Sequence, residues 1–231
     1  MDFHRFTVLS FDCYGTLIDW ETGILEALRP VLKARGVKLS DQALLALYGE
    51  LESQIEAEPY RPYREVLCEV VRRMGRRLGF MASRDEAESL PGSLGGWQPF
   101  PDTVAALRKL SARYDVAVVS NVDDDLFART APKLGVRLLA LVTAEQARAY
   151  KPALAMFRLA LDRIGRPVAE ILHVAQSLYH DVAPARALGL STVWVNRRGR
   201  KRGPGATAPS EARPDLKVPD LAALARLAAR A

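Results

Sequence analysis

Cysteine is scarce in this chain. Cys13 and Cys68 are the only two in 231 residues, so there is no disulfide framework to read. Aromatic residues make up 7%, and none interleaves with the densest run of positive charge, which removes the base-stacking surface of a nucleic-acid binder. No apolar run is long enough to span a bilayer, and Met1-Asp2-Phe3-His4-Arg5 lacks the layout of a secretion signal. No internal repeat is present. The expectation is a cytoplasmic protein with neither a membrane nor a nucleic acid as partner. The net charge of +6 comes largely from Arg197-Arg198-Gly199-Arg200-Lys201-Arg202, which reads as a solvated loop.

What is present suits a globular α/β protein. Val8-Leu9-Ser10-Phe11 is an apolar strand pattern, and Asp12 stands at its carboxyl end. Helical periodicity follows: Ile24, Leu25, Leu28, Val31 and Leu32 share one face, and Gly36 ends that helix. Ser40-Asp41 caps a second segment through Leu44, Leu47, Leu51 and Ile55. A third puts Val66, Leu67, Val70, Val71 and Met74 inward, and Ser83 with Glu86 forms a capping box for a fourth. Pro91-Gly92 and Gly95-Gly96 read as a hinge-like loop before Trp97.

The next strand pattern comes only at Tyr114 to Ser120, too late for an ordinary crossover. The stretch therefore reads as a helical cap, residues 17–97, inserted into a core of 1–16 and 98–231. Strands and helices then alternate, with strands at Val136 to Val142, Glu170 to Ala175 and Thr192 to Val195. Between them Lys151-Pro152 opens a helix, with Pro152 in its first position. The fold class expected is α/β, a Rossmann-like parallel sheet core with an inserted helical cap domain.

Four strand ends or following loops carry polar groups: Asp12, Ser120-Asn121, Lys151, and the segment from Gln176 to Asp181. Taken alone, Asp12, Asp181 and Ser120-Asn121 also suit turns or helix caps, and Lys151 a solvated surface. Cys13 reads as a small hydrophobe beside Asp12.

Together these segments resemble the four motifs of the haloacid dehalogenase superfamily. Asp12-Cys13-Tyr14-Gly15-Thr16-Leu17 is similar to motif I of its 2-haloacid dehalogenase branch. The resemblance implies that Asp12 is a covalent nucleophile paired with Lys151, and that Ser120 and Asn121 hold the substrate's anionic end and cradle the halide. It implies that Asp181 orients or activates water; His180 is a rival base. Thr16 and Ser177 are expected to support the site through their hydroxyls, and Tyr14 to border the substrate. Backbone N–H groups around Tyr14 and Gly15 are expected to hold the oxyanion.

Phosphatase members carry a second Asp where this chain has Tyr14, and a metal-binding Asp where it has Gln176. An amide is a poor ligand for a hard divalent ion, so the expected chemistry is metal-free carbon–halogen cleavage of a small carboxylic acid without a cofactor. Two departures stand out. The fourth motif is one residue longer than in that branch, and the position of its halide-binding cap Arg falls near Tyr48-Gly49. Arg61 and Arg64 are the candidates to replace it. The other readings are a catalytically weak member that binds an acidic metabolite or a protein, and a residual phosphatase. Subunit number is open, a homodimer included.

Overall fold

The computed structural model describes residues 1–199 and 205–230. The apolar run before Asp12 forms β1 (Val8–Phe11), buried along its whole length as a strand covered on both faces must be. Four helices follow: α1 (Trp20–Ala34), α2 (Asp41–Glu56), α3 (Tyr63–Arg77) and α4 (Arg84–Ser93). The chain continues through α5 (Thr103–Ser111), β2 (Asp115–Ser120), α6 (Asp124–Leu134), β3 (Ala140–Thr143), α7 (Ala144–Ala147) and α8 (Leu154–Ile164). It ends with β4 (Ile171–Ala175), α9 (Ala183–Ala187), β5 (Ser191–Val195), β6 (Leu216–Val218) and α10 (Leu221–Ala228).

The strands form one parallel sheet in the order β3-β2-β1-β4-β5-β6. Progression runs outward from β1 in one direction and from β4 in the other. The switch point therefore lies between β1 and β4, and the crevice beyond their carboxyl ends is where such sheets bind ligands. Asp12 follows β1 into that crevice.

The helical insertion is tied to the sheet at a narrow neck. Asp19 N–H donates to the Gln98 carbonyl at 2.8 Å, and Phe100 N–H to the Leu17 carbonyl at 3.1 Å. Val66, Leu67, Val70, Val71 and Met74 are buried, as their spacing predicts. Both hydrogen bonds of the Ser83–Glu86 capping box form. A second tie was not anticipated: the Asp123 carboxylate, from the loop after β2, accepts the backbone N–H groups of Tyr63 (2.7 Å) and Arg64 (2.8 Å). It caps α3 rather than its own helix.

Several expectations need correction. Pro91-Gly92 does not open a loop; α4 runs through it, with Leu90 and Pro91 buried, because packing outweighs a local breaker near a helix end. The third strand is shorter than its apolar pattern and starts at Ala140, while β6 is a strand beyond those that the sequence pattern marks. Pro152 does not occupy the first position of a helix: α8 begins at Leu154 with Ala153 as its cap, and the Lys151–Pro152 peptide is cis. The arginine cluster is not simply solvated. Arg197 donates to the Thr16 carbonyl and pairs with Asp102, and Arg198 pairs with Glu21; Arg200 to Arg202 lie outside the described residues. No helix among the described residues is long and apolar enough to cross a membrane.

Candidate active site

Asp12 leaves β1 buried, and its neighbours decide how it points. Thr16 Oγ1 donates to Asp12 Oδ2 at 2.6 Å and accepts Gln176 N–H at 2.8 Å, so one hydroxyl ties the first motif to the fourth. The turn between them needs Gly15, whose φ is +94° and where a Cβ would come within 2.9 Å of the Trp20 indole. Lys151 Nζ donates to Asp12 Oδ1 (2.7 Å), Asp181 Oδ1 (2.8 Å) and the Val119 carbonyl (3.0 Å). All three ammonium hydrogens are thereby used. Breaking a buried ion set of this kind by removing one member typically costs about 3–5 kcal/mol, so Lys151 also holds the site together.

The charges follow from this packing. Burial pushes the Asp12 carboxyl above the ordinary carboxylate value, and Asp181 adds to it, while Lys151 and Thr16 pull it back. Burial works against Asp181 too, but Lys151 and His173 more than offset it and hold that carboxyl below its ordinary value. Asp12 and Asp181 in turn keep the Lys151 ammonium charged despite its burial. Burial drives His180 down to about 4, so it is a neutral imidazole at physiological pH.

Asn121 joins three segments. Its Oδ1 accepts Lys151 N–H at 2.8 Å, and its Nδ2 donates to the Lys151 carbonyl and to both oxygens of Glu56 in α2. Ser120 is fully buried, and its Oγ has no hydrogen-bond partner among the described residues; the same holds for Asp181 Oδ2. The fourth motif closes in a single π-helical turn, Leu178–Val182, capped by Ser177 Oγ accepting His180 N–H at 2.9 Å. Such a turn admits one more residue than an α-helical one, and it delivers Asp181 to Lys151.

These groups line one small, partly open cavity. Asp12, Tyr14, Ser120, Asn121, Lys151, Ser177, His180 and Asp181 all border it, and Thr16 lies behind Asp12. The Tyr14 hydroxyl, however, is bonded to Thr130 at 2.8 Å. Gly15 N–H donates to the Ile18 carbonyl at 2.9 Å, so it is not free for an oxyanion.

The far wall was not foreseen. It carries Glu52, Glu56, Tyr63 and Trp20 from the helical insertion, with Thr207 from the loop after β5. Arg61 and Arg64 do not reach it; they pair with Glu58 and Asp125. Nor is there room for a side chain at Gly49, where a Cβ would stand 2.6 Å from the Ala206 carbonyl oxygen. Glu52 Oε1 accepts both the Tyr48 and Tyr63 hydroxyls at 2.6 Å, and burial still raises its carboxyl to about 7. Burial raises Glu56 well above its ordinary value. The available signal was Glu52 lying four residues after Tyr48, on the apolar face of α2.

The donor set does not fit a magnesium ion. Gln176 offers an amide where a carboxylate would be needed, and a fixed ammonium bridges Asp12 and Asp181. No group of three or more His, Cys, Asp and Glu side chains among the described residues is arranged to hold a metal.

Comparison with known proteins identifies the family. The family model described as haloacid dehalogenase-like hydrolase matches residues 6–189. The chain is 27% identical to (S)-2-haloacid dehalogenase 4A of Burkholderia cepacia, over 82% of each chain. It is 26% identical to haloacetate dehalogenase H-2 of Moraxella sp. (strain B), over 84% of this chain and 88% of that one. The solved L-2-haloacid dehalogenase of Xanthobacter autotrophicus superposes with a TM-score of 0.80 at 21% identity, covering 96% of this chain and 98% of the other.

Proposed function

Because the chain belongs to the haloacid dehalogenase-like hydrolase family, we propose that it hydrolyses the carbon–halogen bond of short 2-haloacids through an ester on Asp12. A carboxylate oxygen of Asp12 attacks the halogen-bearing carbon from the side opposite the halide, and the carbon–halogen electron pair departs with the halide. Water then adds to the ester carbonyl on Asp12, Asp181 taking its proton. Collapse breaks the bond between that carbonyl carbon and the alkyl oxygen; Asp181 returns its proton to that oxygen, the 2-hydroxy acid leaves with inverted configuration, and the regenerated Asp12 carboxyl releases its own proton to solvent.

The observation that carries this reading is the buried ammonium of Lys151 shared between Asp12 and Asp181. It favours an ionised nucleophile, and in the carbon–halogen step the halide leaves without needing a proton. Ser120 Oγ supports binding of the substrate carboxylate, as an unpartnered buried donor. Asn121 and Ser177 line the substrate's space, Thr16 orients Asp12, and Tyr14 closes the wall. The two named relatives act, by their names, on (S)-2-haloacids and haloacetate, which supports small acids as substrates. Free, buried Cys13 and Cys68 support a reducing, cytoplasmic setting.

A second reading rests on the acidic wall of Glu52 and Glu56, which puts no guanidinium against a halide. It makes the chain a weak or inactive member that binds an acidic metabolite. Halide release from chloroacetate and 2-chloropropionate, with and without magnesium, separates the two. The dehalogenase reading expects metal-independent release that falls to background in Asp12→Asn. No release at any practical enzyme level leaves the binding reading.

A further inference from the structure

The site has an inner layer that the reaction above does not use. His173 in β4 is fully buried beneath the cavity and lies beside Ser10 of β1 in the parallel register. Its Nδ1 is 2.6 Å from Ser10 Oγ, and its Nε2 is 3.0 Å from Asp181 Oδ1. A carboxylate oxygen only accepts, so Nε2 carries the hydrogen, and Nδ1 is left to accept the Ser10 hydroxyl. Phe157 packs edge-on against the imidazole at 5.1 Å and fixes its plane.

The consequence falls on Asp181. Oδ1 takes two donors, Lys151 and His173, while the equally buried Oδ2 takes none. Lys151 alone, a point charge on a flexible stem, would let the carboxyl turn and share both oxygens. A second donor from a different direction stops that rotation.

We propose that His173, held by Ser10, is a positioning residue that aims Asp181 Oδ2 at the hydrolytic water. It thereby serves ester hydrolysis and not ester formation. This rests on the aspartyl-ester reading of the site. The selectivity follows from the chemistry: attack by Asp12 on carbon moves no proton, whereas attack by water must deliver one to Asp181. Charged or titratable groups facing Asp181 are Lys151 and Asp12 from the sheet edge, His173 below, and His180 on its own turn. Of these, Lys151 and His173 hold it ionised, so losing His173 moves the acid limb of ester hydrolysis to higher pH.

The test is a rapid-quench experiment with 2-chloropropionate on wild type, His173→Phe, His173→Gln and Ser10→Ala. It follows halide release and the mass of the peptide containing Asp12. In His173→Phe, halide should appear in a first-turnover burst at near the wild-type rate. Ester hydrolysis should slow roughly 10- to 100-fold, the scale of a misplaced reacting group, so the peptide accumulates as its ester. His173→Gln, which can return an N–H toward Asp181, should recover part of the loss, and Ser10→Ala should fall between. Equal slowing of both steps, or hydrolysis at the wild-type rate, overturns the proposal. Should His173→Phe not fold, Ser10→Ala and His173→Gln must show the same selective slowing or the proposal falls. A single wild-type turnover in heavy-oxygen water that labels the hydroxy acid and leaves Asp12 unlabelled rejects the underlying mechanism instead.

Discussion

Glu52 is a carboxyl group in the wall of a site that is expected to bind anions. Burial raises it to about 7, so below that pH it is neutral and above it the wall becomes anionic. Burial raises Glu56 well above its ordinary value too. A haloacid is ionised throughout this range, so its binding should weaken as pH rises through about 7. We expect KM for chloroacetate to be flat on the acid side and to climb several-fold, up to about tenfold per charge acquired, on the alkaline side. Replacing Glu52 and Glu56 together by Gln should flatten that limb. A wild-type KM constant from pH 6 to 9 contradicts the assignment. The acid limb belongs to Asp12: its raised carboxyl should cost ester formation at a pH above that expected of an ordinary aspartate.

At the scale of elements, α3 is held by a residue outside its own helix. Asp123 caps it from the sheet, with two backbone N–H groups on one carboxylate. Removing a cap of this kind costs about 0.5–2 kcal/mol. Asp123→Ala should lower unfolding free energy by about that much in urea titration, and Asp123→Asn by less. Loss of nothing measurable in Asp123→Ala contradicts the cap. Local patterns recorded most elements well, since burial and period coincide in β1, β2, β4 and the faces of α1 and α3. They failed where distant packing decides. Pro91 sits inside a helix because the insertion buries it, and β6 leaves no strand pattern because it is three residues long on an edge. The π-helical turn was not legible, because its geometry is set by where Asp181 meets Lys151 rather than by local pattern.

For the whole molecule, the site is made by two layers meeting across the sheet's carboxyl edge. The core side was legible because each polar residue ends an apolar strand, a position chemistry uses repeatedly. The opposite wall was not, because which face of α2 looks inward depends on where the insertion docks. Gly49 illustrates this: its lack of a side chain makes sense only beside the Ala206 backbone, 157 residues later in the chain. The arginine cluster teaches the same lesson, since Arg197 reaches back to hold the Thr16 carbonyl.

The central claim is that Asp12 itself becomes the ester. The direct measurement is a single turnover of chloroacetate in heavy-oxygen water with enzyme in excess, followed by mass analysis of glycolate and of the peptide carrying Asp12. The account predicts heavy oxygen in the Asp12 carboxylate and ordinary oxygen in the glycolate. Heavy oxygen in the glycolate, with Asp12 unlabelled, would contradict it.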